Sequence, residues 1–315
     1  MSRPRRLTPV EIEPEDLPPL GGPHSIPPPM EQSGVRRPVL PRGLEFVGPL
    51  GAGSIGVVMA ARVESTGQLV AVKMLSPEHA THPEQRTRMF AEAIAASRLS
   101  SQHVAKVLDV GELSDGAPYI VMEYLEGQTL DEVLRTRGPL PAPFAVECIM
   151  QVLDALGEAH ALGLIHRDVK PSNLFLVARP DGAPFVKVLD FGLVKDVIST
   201  KMYGRITTDG NVHGTPAYMA PEQLDPRQDV DSRVDVWAVG ATLFELLTGD
   251  VPFSARSIPQ ILARIARDPV PPIRTKRPDV SHRLERIVAR CLSKSPDARY
   301  SSAAELALAL GAELF

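Results

Sequence analysis

The stretch Leu164-Ile165-His166-Arg167-Asp168-Val169-Lys170-Pro171-Ser172-Asn173-Leu174-Phe175-Leu176 packs an imidazole, two cations, a carboxylate and an amide between two apolar ends. Val188-Leu189-Asp190-Phe191-Gly192 follows, and then Gly214-Thr215-Pro216-Ala217-Tyr218-Met219-Ala220-Pro221-Glu222. Upstream, Phe144–Leu162 carries apolar residues at helical spacing; downstream, Val234–Leu247 is apolar almost all round, the pattern of a buried helix. Before Gly127 the pattern changes. Leu44–Leu50, Val57–Val63 and Leu69–Leu75 are short, rich in branched residues and broken by turn signals, so they read as strands. One helical stretch, Glu84–Leu99, interrupts them. The body is therefore α+β, a small β-rich lobe with one main helix followed by a larger helical lobe. A cleft between two such lobes is a natural site.

Composition narrows the function. The chain has 315 residues, 43% hydrophobic and 23% charged, enough for a sizeable core without a disulfide or metal staple. Its net charge of −4, from 34 Lys+Arg against 38 Asp+Glu, argues against a nucleic-acid binder, which carries a basic excess. Cys148 and Cys291 form no CxxC pair and read as small core fillers in a reducing compartment. No uninterrupted apolar run of about eighteen residues is present, and no apolar stretch follows Arg3, Arg5 and Arg6. The expectation is a cytoplasmic chain without membrane insertion. Residues 1–43 hold 11 of the 31 prolines and no Phe, Trp or Tyr. Such a segment cannot offset its ordering entropy and reads as a disordered, proline-rich tail, with Pro27-Pro28-Pro29 offering itself to a partner's aromatic groove.

Leu50-Gly51-Ala52-Gly53-Ser54-Ile55-Gly56-Val57-Val58 contains G-x-G-x-x-G. A dinucleotide fold would need a helix next and an acid about twenty residues on. Here a strand continues instead, and Val70-Ala71-Val72-Lys73 stands at that distance. Nor does a lysine follow Gly56, as a Walker loop requires. What remains is a hairpin whose glycines let backbone N–H groups approach a polyphosphate. Lys73, inside an apolar strand, needs an anion. The candidates are a phosphate and a carboxylate on the next helix, where Glu92 suits better than Glu84 in the exposed first turn.

Together these motifs, in this order over residues 44–315, closely resemble the eukaryotic-like serine/threonine protein kinase family. The resemblance implies a two-lobed kinase fold with a small lobe at 44–122, a hinge at 123–127 and a large lobe at 128–315. It implies ATP and Mg²⁺ as cofactors, with Mn²⁺ as a substitute, and proteins carrying Ser or Thr as substrates. By the same resemblance Asp168 accepts the substrate hydroxyl proton, Lys170 neutralises the γ-phosphate, and Asn173 and Asp190 hold metal. Lys73 grips the α- and β-phosphates, positioned by Glu92. Nucleotide contacts fall along Leu50 to Val58 (Gly51, Ala52, Gly53, Ser54, Ile55, Gly56 and Val57 between them), with Ala71, the gatekeeper Met122, the Glu123 carbonyl and the Leu125 amide. The ribose lies loosely near Thr129 to Glu132. His166 reads as a packing residue rather than a base.

The resemblance further implies that Thr215 links the catalytic Asp and Lys, as in serine/threonine members, that Glu222 pairs with Arg299, and that Asp235 supports the catalytic loop. Arg167 before Asp168 implies control by a phosphorylated loop, with Ser199, Thr200, Thr207 and Thr208 as acceptors and Thr207 or Thr208 favoured. The scarcity of lysine (8 against 26 arginines) fits a bacterial source. Ile55 departs from the family's usual aromatic at the loop tip. Two alternatives stand beside an active kinase. A pseudokinase scaffold is disfavoured by the intact set Lys73, Glu92, Asp168, Asn173 and Asp190. A small-molecule kinase is disfavoured by the segment from Gly214 to Glu222.

Overall fold

The computed structural model describes residues 40–52, 56–75, 77–114, 116–190, 215–225 and 227–314. The proline-rich segment before them and the four phosphoacceptor candidates lie outside the described residues. The small lobe is a five-stranded antiparallel sheet in the order β1-β2-β3-β5-β4. Its strands are β1 (Leu44–Ala52), β2 (Gly56–Val63), β3 (Leu69–Leu75), β4 (Val107–Glu112) and β5 (Pro118–Glu123). Between β3 and β4 run a single turn, α1 (Pro77–Ala80), and the main helix α2 (Pro83–Ser97). Successive side chains of a strand face opposite ways, and β3 uses both faces. Val70, Val72 and Met74 join one apolar cluster with Met59, Ala61 and Val121. The other face carries Ala71, Lys73 and Leu75, and Leu75 packs with Met89 and Ala93 of α2. Lys73 is thereby turned to the helix and cleft side.

A short sheet in the large lobe, β6 (Gly127–Thr129), β7 (Leu174–Val177) and β8 (Val186–Val188), has the order β6-β7-β8. The helices are α3 (Leu130–Arg137), α4 (Ala142–Ala161), α5 (Arg233–Thr248), α6 (Ile258–Arg267), α7 (His282–Cys291) and α8 (Ala303–Gly311). A reciprocal capping box between Thr129 and Glu132 starts α3. The axis of the lobe is α5, whose residues Val234 to Leu247 are buried save Glu245, as its almost wholly apolar surface predicts. Gly249, in the left-handed region at φ 78, ends it with its N–H on the Glu245 carbonyl at 2.8 Å. A Cβ on Gly240 would lie 2.5 Å from Cys291 Cβ, so this glycine lets α7 approach α5 closely. Cys148 and Cys291 are buried and unbridged. Among the described residues no helix is long and apolar enough to cross a membrane.

Candidate active site

The segment from Leu164 to Asn173 lies over the start of α5, and one carboxylate holds it there. Asp235, fully buried, accepts the backbone N–H of His166 at 2.8 Å on Oδ2 and that of Arg167 at 2.7 Å on Oδ1. His160, in the last turn of α4, places Nε2 2.8 Å from the same Oδ2, while its Nδ1 is buried without a partner. Because a carboxylate oxygen only accepts, His160 Nε2 is the donor in this contact. Sequence reasoning assigned Asp235 but passed over His160. The signal was its place six residues before His166, at the end of an amphipathic helix.

His166 is buried and hydrogen-bonded at both nitrogens. The Asp168 N–H donates to Nδ1 at 3.2 Å, and Nε2 faces the Leu189 carbonyl at 3.0 Å. Burial holds its pKa below the ordinary value despite the carboxylates of Asp235 and Asp168 nearby. A neutral ring used this way packs and positions, as the sequence reading has it.

The reactive groups converge just beyond. Lys170 Nζ lies 3.0 Å from Asp168 Oδ2, both side chains being mostly buried. Asn173 donates Nδ2 to the Asp168 carbonyl at 2.8 Å, which directs its Oδ1 the other way. The Leu189 N–H donates to the Asn173 carbonyl at 2.8 Å and so brings Asp190 alongside. Asp190 stands at φ 49, left-handed for a residue with a Cβ, and its Oδ1 lies 2.7 Å from Lys73 Nζ. Lys73 therefore meets a carboxylate from the large lobe, a partner that the sequence reading did not name. Glu92 belongs to α2, but its side chain is outside the described residues. Glu84 is exposed in the first turn.

The remaining predicted contacts fall around this cluster. Across the sheet Lys73 is opposite Val58 and Ile120, and Ala71 is opposite Met122. Leu50 is exposed on β1, and Gly51 and Ala52 pair with Val58 and Val57. Gly53, Ser54 and Ile55 lie outside the described residues. The two ends of the glycine loop have different reasons to be glycine. A Cβ on Gly51 meets nothing within 4 Å, whereas one on Gly56 would fall 2.1 Å from the Met74 carbonyl oxygen. Gly56 serves the close approach of β2 to β3. Glu123 ends β5, and Leu125 follows in the connection to β6. Thr129 and Glu132, the loosely placed ribose neighbours, are engaged in the α3 capping box.

Below the cleft, Arg299 and Glu222 form a buried fork-to-fork pair at 2.6 and 2.7 Å. Thr215 opens the turn Thr215–Tyr218, but its side chain is outside the described residues. Tyr218 donates to Glu245 Oε2 at 2.5 Å. Burial, helped by Asp131 and Asp250, pushes the Glu245 carboxyl up to about 7. No motif flagged that pair, because Glu245 lies late in a largely apolar helix and reads as its solvent edge.

Residues 44–309 match the protein kinase domain, and the chain belongs to that family. It is 42% identical over 259 residues to serine/threonine-protein kinase pkn3 of Myxococcus xanthus, covering 81% of this chain and 47% of that protein. It is 39% identical over 260 residues to serine/threonine-protein kinase PknH of Mycobacterium tuberculosis, covering 82% of this chain and 40% of that one. The chain thus spans less than half the length of these curated relatives. The crystal structure of the Mycobacterium tuberculosis PknI kinase domain superposes with TM-score 0.68 at 30% identity, covering 89% of this chain and 100% of that one. Rad53 residues 1–466, in complex with AMP-PNP, superpose with TM-score 0.68 at 26% identity, over 84% of this chain and 64% of that one. Members of this family generally use ATP and a divalent metal ion.

Proposed function

We propose that the chain is an active serine/threonine protein kinase that moves the γ-phosphoryl group of Mg-ATP to protein hydroxyls. The observation that supports it best is the meeting of Asp168, Lys170, Asn173, Asp190 and Lys73, from three separate segments, in one hydrogen-bonded group. Asp168 orients the substrate hydroxyl and takes its proton as the oxygen bonds to the γ-phosphorus and the bridging P–O bond to ADP breaks. Lys170, already on Asp168, balances charge on the transferring group. Asn173 Oδ1 and the Asp190 carboxylate are hard oxygen donors, a set that fits Mg²⁺, and Mn²⁺ as its substitute. Bound there, the ion neutralises polyphosphate charge. Lys73, which meets Asp190 at 2.7 Å, turns to the α- and β-phosphates when nucleotide binds.

The adenine edge is read by the Glu123 carbonyl and the Leu125 amide, with Met122 behind it. Serine/threonine choice follows from Asp168-Val169-Lys170-Pro171-Ser172-Asn173 and is supported by the names of the similar proteins. Autophosphorylation in trans falls on Thr207 or Thr208, ahead of Thr200 and Ser199. The test is transfer from γ-labelled ATP, with and without Mg²⁺, to the chain itself and to a basic protein, followed by phosphoamino-acid analysis. Label on serine or threonine supports the reading. Nucleotide binding without transfer, even after treatment with an active upstream kinase, would replace it with a scaffold.

A further inference from the structure

The strand before Asp190 is tied to the hinge by a partly buried ion pair. Lys187, the middle residue of β8, is 7% exposed, and its Nζ lies 2.7 Å from Glu123 Oε1 and 3.3 Å from the Val104 carbonyl. Glu123 Oε1 also accepts the Lys106 N–H at 2.7 Å, and the Glu123 N–H donates to the Lys106 carbonyl at 3.0 Å. The segment between them runs along β8. Val188 donates to the His103 carbonyl at 2.8 Å, and Ala105 donates to the Val188 carbonyl at 3.0 Å. A lysine flanked by two buried valines is costly to place without a partner. Here the partner is the side chain of the residue whose carbonyl is assigned to adenine.

We infer that Glu123 and Lys187 are positioning residues for nucleotide, fixing the hinge backbone relative to the strand that ends in Asp190. The inference rests on the kinase reading above. Two features give the brace its consequence. Asp190 sits at φ 49, a conformation that persists only where the surroundings over-determine it. Its upstream restraints are the Leu189 hydrogen bond to Asn173 and the anchoring of β8. The Glu123 carboxylate, clamped by both Lys187 and Lys106, holds the backbone of the same residue in place. With the pair broken, the adenine contact and the metal carboxylate move independently, and the site loses preorganisation for nucleotide.

The test compares the full chain with Lys187→Met, Glu123→Gln, the double variant and Lys187→Arg. It reads the Kd of a fluorescent ATP analogue with Mg²⁺, KM for ATP and for a peptide substrate, and the thermal midpoint. Each single variant is expected to raise nucleotide Kd about fivefold or more, with peptide KM unchanged and the double variant no worse than the worse single. Lys187→Arg, which keeps charge and reach, stays within about twofold. A merely structural pair would lower the thermal midpoint and leave the Kd of the folded fraction unmoved, which overturns the inference. Losses that multiply in the double variant overturn it too. If a single variant does not fold, the double variant, with no stranded charge, decides: wild-type Kd there overturns the brace. A wild-type chain that binds no nucleotide overturns the brace together with the kinase reading, whereas tight wild-type binding with unmoved variants overturns the brace alone.

Discussion

Asp235 accepts the backbone N–H of Arg167 at 2.7 Å, and Arg167 stands at φ 62, in the left-handed region that side chains with a Cβ rarely adopt. A fully buried carboxylate thus holds a strained backbone directly before Asp168. Its other oxygen is filled by the His166 N–H and by His160, so its lone pairs are spoken for by three donors.

Asp235→Asn sets an NH₂ against one of these N–H donors. Hydrogen bonds to a charged group contribute roughly 1.5–3 kcal/mol, so unfolding free energy should fall by about that much or more. Because the relaxed loop carries Asp168, kcat should fall while KM for ATP changes little. Denaturant unfolding and steady-state kinetics on the one variant check both. Unchanged kcat at reduced stability would confine Asp235 to the core.

Glu222 and Arg299 are buried together, and Arg299 also donates to the carbonyls of Ser293, Arg233 and Lys294. Removing either partner strands the other's charge, at a cost of about 3–5 kcal/mol. Arg299→Ala and Glu222→Ala should each lower stability by that order. Arg299→Lys should not restore it, since one ammonium cannot span both carboxylate oxygens and the three carbonyls. Chemical denaturation of the four proteins measures this.

The Glu245 carboxyl is pushed from its ordinary 4.5 up to about 7, first by burial and then by Asp131 and Asp250, against the Tyr218 hydrogen bond that favours its charge. A raised carboxyl means that the folded state holds the proton more tightly than the unfolded one. Its contribution is therefore full below about pH 4.5 and is lost as pH rises through 7. The loss amounts to at most about 3 kcal/mol. Glu245→Gln keeps an acceptor for Tyr218 and removes the titration. The stability difference between variant and wild type should widen in the variant's favour from pH 4.5 to 7 and level off above. A difference constant with pH would contradict this environment for Glu245.

The glycine loop separates into two halves. Gly51→Ala should fold normally, because open space surrounds that Cβ. Gly56→Ala drives a methyl into the Met74 carbonyl, and β2 must leave its register with β3, so a lowered thermal midpoint and weakened nucleotide binding are expected together. Parallel melting curves and nucleotide titrations of the two variants distinguish them.

The strand and helix periods before Gly127, the buried run that becomes α5, and the motif residues of the cleft were legible in the sequence. Asp168, Lys170, Asn173 and Asp190 could be read because they cluster in short segments whose residue types suit one chemistry. The partners that hold them could not. His160 acts on Asp235 across 75 residues, and Lys187 reaches Glu123 across 64, pairings that no local period encodes. The contact of Lys73 with Asp190 spans 117 residues and depends on how the two lobes meet rather than on any local pattern. The sheet β6-β7-β8 was missed because its strands have only three or four residues, too short for alternation to register.

The most direct measurement is transfer of label from γ-labelled Mg-ATP by the wild-type chain beside Asp168→Asn, with nucleotide affinity measured on both. Phosphate on serine or threonine is expected from the wild type. The variant should lose about 10²–10⁴-fold in rate while binding nucleotide normally, as befits a group that handles the proton and not the polyphosphate. Equal transfer by both proteins, or none by a nucleotide-bound wild type treated with an upstream kinase, would contradict the account.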